Sequence, residues 1–363
     1  MKIYLPLSFF IISLIFFCCP ASAEPGSNPV IFARSTENEE CSLWLWTENS
    51  KPGLIQGTGG AGRFVVATSP PSVILQLPVK NKHQYFALAR KLIDDSGNSK
   101  IIYLDKPNNG FSDINQLLSP DGATLIFNRV KPEEFGSDKY DAGIWRLDTG
   151  SGSPAELLWI SPQKHRGIIN IPTAFSPDGS LLAVQRSPFE ETDIGDTLVI
   201  DINSGTVKKT FRQARLEAWS PDGEMMLVSR IEKMSGRRLL YHGNGDNDKW
   251  KLLTPEGSSD GEPAFSPDGG RIVVHARDEN GYSLGLWEID VISGTRKILT
   301  PNGSAPRWSA DGSNIYFRRR DDSTEWVSEI WIINNGGEPV RALENADNFR
   351  LLSTGAGSDE GGI

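Results

Sequence analysis

A six-residue pattern governs what this chain can fold into. Ala174-Phe175-Ser176-Pro177-Asp178-Gly179 precedes an apolar run, Leu181 to Val184. The same turn recurs at Ser119-Pro120-Asp121-Gly122, Ser220-Pro221-Asp222-Gly223, Ser266-Pro267-Asp268-Gly269 and Ser309-Ala310-Asp311-Gly312. Successive serines are 57, 44, 46 and 43 residues apart. A period in the forties with strand-like runs inside it belongs to propellers and solenoids. Ser suits the first position of a type I turn, Pro pre-sets φ at the second, Asp tolerates the third, and Gly accepts positive φ at the fourth. Such a turn joins two antiparallel strands through a bulged hairpin. Asp121, Asp178, Asp222, Asp268 and Asp311 are therefore read as structural turn residues.

Apolar runs ending in Arg extend the repeat beyond the five clear turns. They are Val30 to Arg34, Tyr85 to Arg90, Leu125 to Arg129, Leu181 to Arg186, Met225 to Arg230, Ile272 to Arg277 and Ile315 to Arg319. After each comes a polar loop, then a second run rich in Trp, Tyr, Ile, Leu and Val, the composition of half-buried strands. Most units close with a Gly or Asn turn and a short fourth strand. From Ile31 to Asn345 is 315 residues, and seven units give 45 each. The expected fold is all-β, a seven-bladed β-propeller of four-stranded antiparallel blades over 30–354, with a six-bladed ring as the alternative. Two degenerate units precede the clear ones, at about 28–56 and 57–108. In the second, Phe64 to Thr68 and Val73 to Leu77 are both strand-like, and one is surplus to a four-stranded count. Asn348 to Ser353 is expected to supply the first unit's missing strand and close the ring. Aromatics before the turns, Phe175, Trp219, Phe265 and Trp308, are expected to fill the wedges between blades.

Residues 1–23 read as a secretory signal peptide: Lys2, a mostly apolar stretch from Ile3 to Phe17, and a small-x-small site at Ala21-Ser22-Ala23. A short leader, 24–29, and a flexible tail, 355–363, flank the propeller. The expected location is periplasmic or secreted, with no membrane insertion after cleavage. Loss of Lys2 takes the formal net charge from −9 to −10, which speaks against nucleic acid as a partner. Cys41 is the one cysteine outside the signal, so no internal disulfide is available.

The Ser-Pro-Asp-Gly turns resemble the Pro-Asp propeller repeat of TolB-type proteins, a relative of the WD type, over about 28–345. No Trp-Asp dipeptide occurs, so the WD type itself fits less well. The resemblance implies a periplasmic docking surface for envelope proteins. The blades are expected to start within ten residues of the cleavage site, so TolB's preceding α/β domain is not expected here.

Candidate chemistry is sparse. Gly257-Ser258-Ser259-Asp260-Gly261 matches G-x-S-x-G, but that motif needs a strand-to-helix elbow, and here it lies in an inter-blade loop. Prolyl-oligopeptidase-like enzymes carry a similar propeller beside a hydrolase domain, which this sequence is not expected to contain. His83, His165, His242 and His275 show no metal-ligand spacing, and Asp94 to Asn98 and Asn244 to Asp248 lack the EF-hand order, so no metal or cofactor is expected. The strand-end arginines are expected to pair with adjacent acidic loops or to pack their stems on neighbouring strands. Those loops are acidic, with Glu133, Glu134 and Asp138; Glu190, Glu191 and Asp193; and Asp278 and Glu279 as candidate binding residues. The fifth unit interrupts them with Lys233, Arg237 and Arg238, and Arg318 to Arg320 flank the seventh loop, giving an acidic rim with a basic sector. The expectation is a monomeric, non-enzymatic scaffold or protein-binding module that docks a basic segment of an envelope or secreted partner. The alternative is a propeller enzyme, or a carbohydrate- or metal-binding protein, that uses its central channel.

Overall fold

Each repeat becomes one four-stranded antiparallel sheet, and seven sheets make a ring. The computed structural model describes residues 29–352 apart from 36–40, 48–49, 60–62, 80–81, 94–98, 106–109, 135–142, 161–167, 189–194, 245–249, 321–327 and 335. The expected signal peptide, the leader up to residue 28 and the tail, 355–363, lie outside these residues. Blade four is representative: Ile168–Phe175 innermost, then Leu181–Pro188, Asp196–Asp201 and Val207–Phe211. Among the described residues the helical content is one 3-10 turn, Pro132–Glu134.

The ring is closed by chain ends of opposite origin. Asp347–Leu351 pairs antiparallel with Val30–Ser35 and becomes the innermost strand of blade one, which Cys41–Trp46 and Gly53–Leu54 complete. The closing strand thus falls where the sequence suggested, and the seven-bladed count holds over the six-bladed alternative.

A single blade cannot bury both of its faces, and the core accordingly sits between blades. Seven apolar clusters occupy the seven junctions. One joins Ile126, Ile144 and Trp159 of blade three to Phe175, Leu182 and Ile200 of blade four. Another joins Val30, Phe32 and Trp46 of blade one to Tyr316, Ile330 and Leu343 of blade seven, across the closure. The pre-turn aromatics take the wedge positions expected of them: Phe175 and Trp219 are buried, and Phe265 and Trp308 pack against the next two clusters.

The repeated turn has the geometry its residues dictate. In each copy the Gly N–H donates to the Ser carbonyl, as at Gly179 to Ser176 (2.8 Å), and the Ser hydroxyl donates to the Asp carboxylate. The glycines sit at φ between +70° and +76°. Consecutive turns also touch. A Cβ placed on Gly179 would lie 3.7 Å from Pro120 Cδ, one on Gly223 3.7 Å from Pro177 Cδ, one on Gly269 3.6 Å from Pro221 Cδ, and one on Gly312 3.4 Å from Pro267 Cδ. Each Pro therefore supports the Gly of the following blade. This explains the exception at Ala310: the next blade is the closing one, whose two inner strands come from opposite chain ends and carry no such turn.

Blade two corrects one expectation. Neither Phe64–Thr68 nor the run after it is surplus: they are its first and second strands, the second being Pro71–Val79. Tyr85 to Arg90 falls inside the third strand, Lys82–Leu92, and Ile101–Tyr103 is the fourth. The sequence misled because Ser69-Pro70 replaces the Ser-Pro-Asp-Gly turn, so the first hairpin carries no repeat signature.

Two predictions follow from the turns and wedges. The Ser176 and Ser180 hydroxyls hold the Asp178 carboxyl below the usual carboxylate range. Asp178→Ala is expected to cost about 1 kcal/mol in denaturant unfolding, the ordinary net value of such a bond, with Asp178→Asn recovering part of it. Between blades five and six, His242 lies against Phe265 with Nε2 buried and unpartnered, and burial pushes its pKa down. Its folded-state pKa is depressed, so its neutral form favours the fold fully above about pH 6.5, and that stability is lost as pH falls below it. His242→Leu is expected to flatten the loss of melting temperature between about pH 7 and pH 5; an unchanged slope would remove His242 from the acid response.

Candidate functional site

Six of the seven innermost strands carry a bulge at the same height. The register skips Asn115 and Gln116 in blade three, Thr173 in blade four, Glu217 in blade five, Glu262 and Pro263 in blade six, Ala305 and Pro306 in blade seven, and Asn348 in blade one. A bulge leaves a residue unpaired and re-aims its side chain. Here it does so beside the channel, because Asn115, Gln116, Thr173, Glu217, Glu262, Ala305 and Asn348 each line one of two cavities there. Four of them, Asn115, Glu262, Ala305 and Asn348, have φ of 54°, 52°, 51° and 28°. Such non-glycine conformations cost about 1–3 kcal/mol each and concentrate at functional sites.

The larger cavity, about 730 Å³, is built by blades five, six, seven and one. Six arginines line it, Arg215, Arg238, Arg277, Arg307, Arg318 and Arg350, against two carboxylates, Glu217 and Glu262. Ile231, Gly236 and Arg238 belong to the hairpin after the second strand of blade five, so the cavity opens toward the face that carries those loops.

The two carboxylates are anchors. Glu217 is 3% exposed; it accepts from the Ser229 hydroxyl and from Arg238 Nη1 (3.3 Å), and Arg215 Nε stands 3.5 Å away in a longer ion pair. Glu262 accepts from the Ala305 N–H (2.6 Å), which ties the bulge of blade six to that of blade seven, and its Oε2 lies 3.5 Å from His275 Nδ1. Burial raises the Glu262 pKa, but His275, the Ala305 N–H and the Arg277 charge outweigh it and hold it at about 2. A carboxylate this acidic is a poor proton acceptor at neutral pH and a good electrostatic fixture. The Arg277 guanidinium completes this cluster, with Nη2 3.1 Å from His275 Nδ1, and lies against Gly261, where a Cβ would come within 3.4 Å of it. Behind the strand, Asp260 is fully buried and grips Arg296 through both carboxylate oxygens, at 2.8 and 2.9 Å.

Among the described residues, the acidic candidates line neither cavity. Glu133 is exposed and accepts from Tyr85 Oη (3.1 Å). Glu134 ends the 3-10 turn. The Asp278 carboxylate folds back on its own hairpin, taking the N–H groups of Asn280 and Tyr282, and Glu279 is exposed. Asp138, Glu190, Glu191 and Asp193 lie outside the described residues. The strand-end arginines take different partners from blade to blade. Arg34 donates to the Glu344 and Asn345 carbonyls, Arg129 pairs with Asp105 and Asp113, and Arg319 stacks over Trp331 at 4.0 Å. Among the seven, Arg277 reaches the cavity. The basic sector expected from Arg238 and Arg318 is where the cavity lies, whereas Arg215, Arg307 and Arg350 had no sequence signal. Ser259 lines the cavity, but it sits within a strand and accepts from the Arg238 N–H (3.0 Å). Among the described residues no group of three or more His, Cys, Asp or Glu could hold a metal ion, and no helix is long and apolar enough to cross a membrane.

No family model matches the chain. A curated relative, described as the uncharacterized peptidase YuxL of Bacillus subtilis, is 24% identical over 223 residues, 58% of this chain. The chain spans about a third of that relative, 30% of its length. Among solved structures, an oligogalacturonate lyase in complex with manganese overlaps with a TM-score of 0.62 at 13% identity, covering 88% of this chain and 86% of the lyase. A puromycin-hydrolyzing peptidase of Mycobacterium tuberculosis overlaps at 0.65 and 15% identity, covering 89% of this chain and 52% of the peptidase. TolB of Acinetobacter baumannii overlaps at 0.49 and 16% identity, over 86% and 79%. The expectation of a non-enzymatic chain is corrected by these matches. The sequence relative is named a peptidase, and a hydrolase and a lyase share the fold, so this is a propeller of a kind that enzymes use. The sequence offered no coherent acid, base and nucleophile set, and that absence was the weak ground of the earlier expectation.

Glu262 supplies the test of this electrostatic picture. Its depressed pKa contributes stability that is fully present above about pH 4.5 and lost as pH falls through about 2. The stability gap between the native chain and Glu262→Gln is expected to be widest at neutral pH and to close toward pH 2 in denaturant titrations. A gap independent of pH would contradict the assignment.

Proposed function

We propose that this chain is an enzyme-type propeller that takes acidic oligosaccharides into the arginine-lined end of its channel. The observation that carries the reading is the charge imbalance of one cavity, six arginines to two carboxylates in about 730 Å³. Guanidinium groups suit carboxylates because their planar N–H forks match the two oxygens. The volume falls within the range of small-molecule sites. An oligogalacturonate lyase matches nearly end to end in both directions, and its named substrate is a polymer of carboxylate-bearing sugars. Neutralising a uronate carboxylate also favours elimination beside it, since negative charge builds there as the neighbouring C–H proton leaves. The manganese named for that lyase finds no three-residue donor set among the described residues, so no step is derived through a metal. In this reading residues 1–23 send the protein out of the cytoplasm, where such polymers occur.

A second reading is favoured by the YuxL match: the propeller of a peptidase, with the same arginines holding a peptide's terminal carboxylate. Titration calorimetry separates the two. Galacturonate oligomers are expected to bind, with affinity falling as salt rises, while neutral gluco-oligosaccharides of equal length do not. Arg277→Ala and Arg318→Ala are each expected to weaken binding by about tenfold or more, the value of a charge-assisted hydrogen bond. Binding of peptides with free C-termini, and of no uronate oligomer, would favour the peptidase reading.

A further inference from the structure

We infer that Arg238 and Arg277 meet across Gly261 as a two-arginine clamp for one carboxylate of the acidic sugar; this rests on the substrate reading above. The frame of the clamp is the end of the G-x-S-x-G stretch, Ser259-Asp260-Gly261, in the innermost strand of blade six. Ser259 Oγ accepts the Arg238 N–H (3.0 Å), which holds the hairpin of blade five against that strand. Asp260 is fully buried, and its two bonds to Arg296 fix the strand in place. Gly261 is buried at the cavity wall. Its φ lies outside the left-handed region, so the glycine serves here by its missing side chain. A Cβ placed there would lie 3.4 Å from Arg277 Nη1 and 3.9 Å from Arg238 Cδ. Arginines from two neighbouring blades therefore converge on one glycine.

Each arginine is anchored through one nitrogen and keeps others to offer. Arg238 donates from Nη1 to Glu217 (3.3 Å), and Arg277 Nη2 lies 3.1 Å from His275 Nδ1. Among the described residues no hydrogen-bond acceptor meets Arg238 Nε or Nη2, or Arg277 Nε or Nη1. A guanidinium held this way has lost its freedom before a ligand arrives, which lowers the cost of binding. Two like charges brought to one place also favour an anion between them. A carboxylate offers two oxygens, one to each arginine, in charge-assisted bonds. A neutral sugar or a methyl ester offers no such charge. Arg215 and Arg350, which line both cavities, remain for another carboxylate of the same oligomer.

The test is titration calorimetry of trigalacturonate and of its trimethyl ester against variants whose folding is checked by circular dichroism. Gly261→Leu fills the space between the arginines and removes neither charge. It is expected to weaken trigalacturonate by about tenfold, as are Arg238→Gln and Arg277→Gln. Gly261→Leu combined with Arg277→Gln is expected to lose little more than either alone, because both dismantle one contact. The ester is expected to bind weakly and to be indifferent to all of these substitutions. Where Gly261→Leu does not fold, Gly261→Ala is expected to shift affinity in the same direction by less. Native affinity in the Gly261 variants with Arg318→Ala still weakened, or losses that multiply in full in the paired variant, would overturn the clamp and leave the substrate reading intact. Equal losses for acid and ester would overturn the clamp as well. No binding of trigalacturonate to the native chain would overturn both.

Discussion

Burial between neighbouring sheets is the constraint on which everything else rests. A four-stranded sheet of about 45 residues has two apolar faces and no layer of its own to cover them. Each junction here is filled by side chains from both sides, as where Trp159 of blade three meets Phe175 and Ile200 of blade four. Leaving either face open would forfeit roughly 25 cal/mol for each Å² of apolar surface. Closure is the solution, and it is why the last strand, Asp347–Leu351, returns to pair with the first. The Ser-Pro-Asp-Gly turns support the same end at finer scale, with Pro177 of one blade packed beneath Gly223 of the next.

The ring explains why a site forms where it does. Innermost strands crowd around the axis, and a regular strand there would alternate its side chains into the wedges. One added residue per strand breaks that alternation. Glu217, Glu262 and Asn348 are each the unpaired member of a bulge, and each faces the channel. Their chemistry differs around the ring. Blades five, six, seven and one bring arginines, while blades two, three and four bring Arg63 and the neutral Asn115, Gln116 and Thr173. The channel is polarised as a result, open and cationic on one side, narrow and amide-lined on the other.

Much of this was legible in the sequence, and the missing parts share a cause. The turns at Ser119, Ser176, Ser220, Ser266 and Ser309 set the repeat, and seven blades and the closing segment followed from counting. Blade two was misread because Ser69-Pro70 turns without the signature residues. The cavity was only hinted at, through Arg238 and Arg318. A bulge is a single extra residue with no composition of its own, and Arg215 and Arg350 converge from blades five and one, which lie 135 positions apart in sequence. The acidic loops drew attention because charge runs are visible in a sequence, yet Asp278 spends its carboxylate on its own hairpin.

The central claim is that the channel's arginines receive a carboxylate. A crystal structure of the protein soaked with digalacturonate tests it most directly. The account predicts a sugar carboxylate within hydrogen-bonding distance of Arg215 and Arg350, on the arginine-lined side of the channel. Density for the sugar on the outer strands or among the acidic loops, with the channel holding only water, would contradict it.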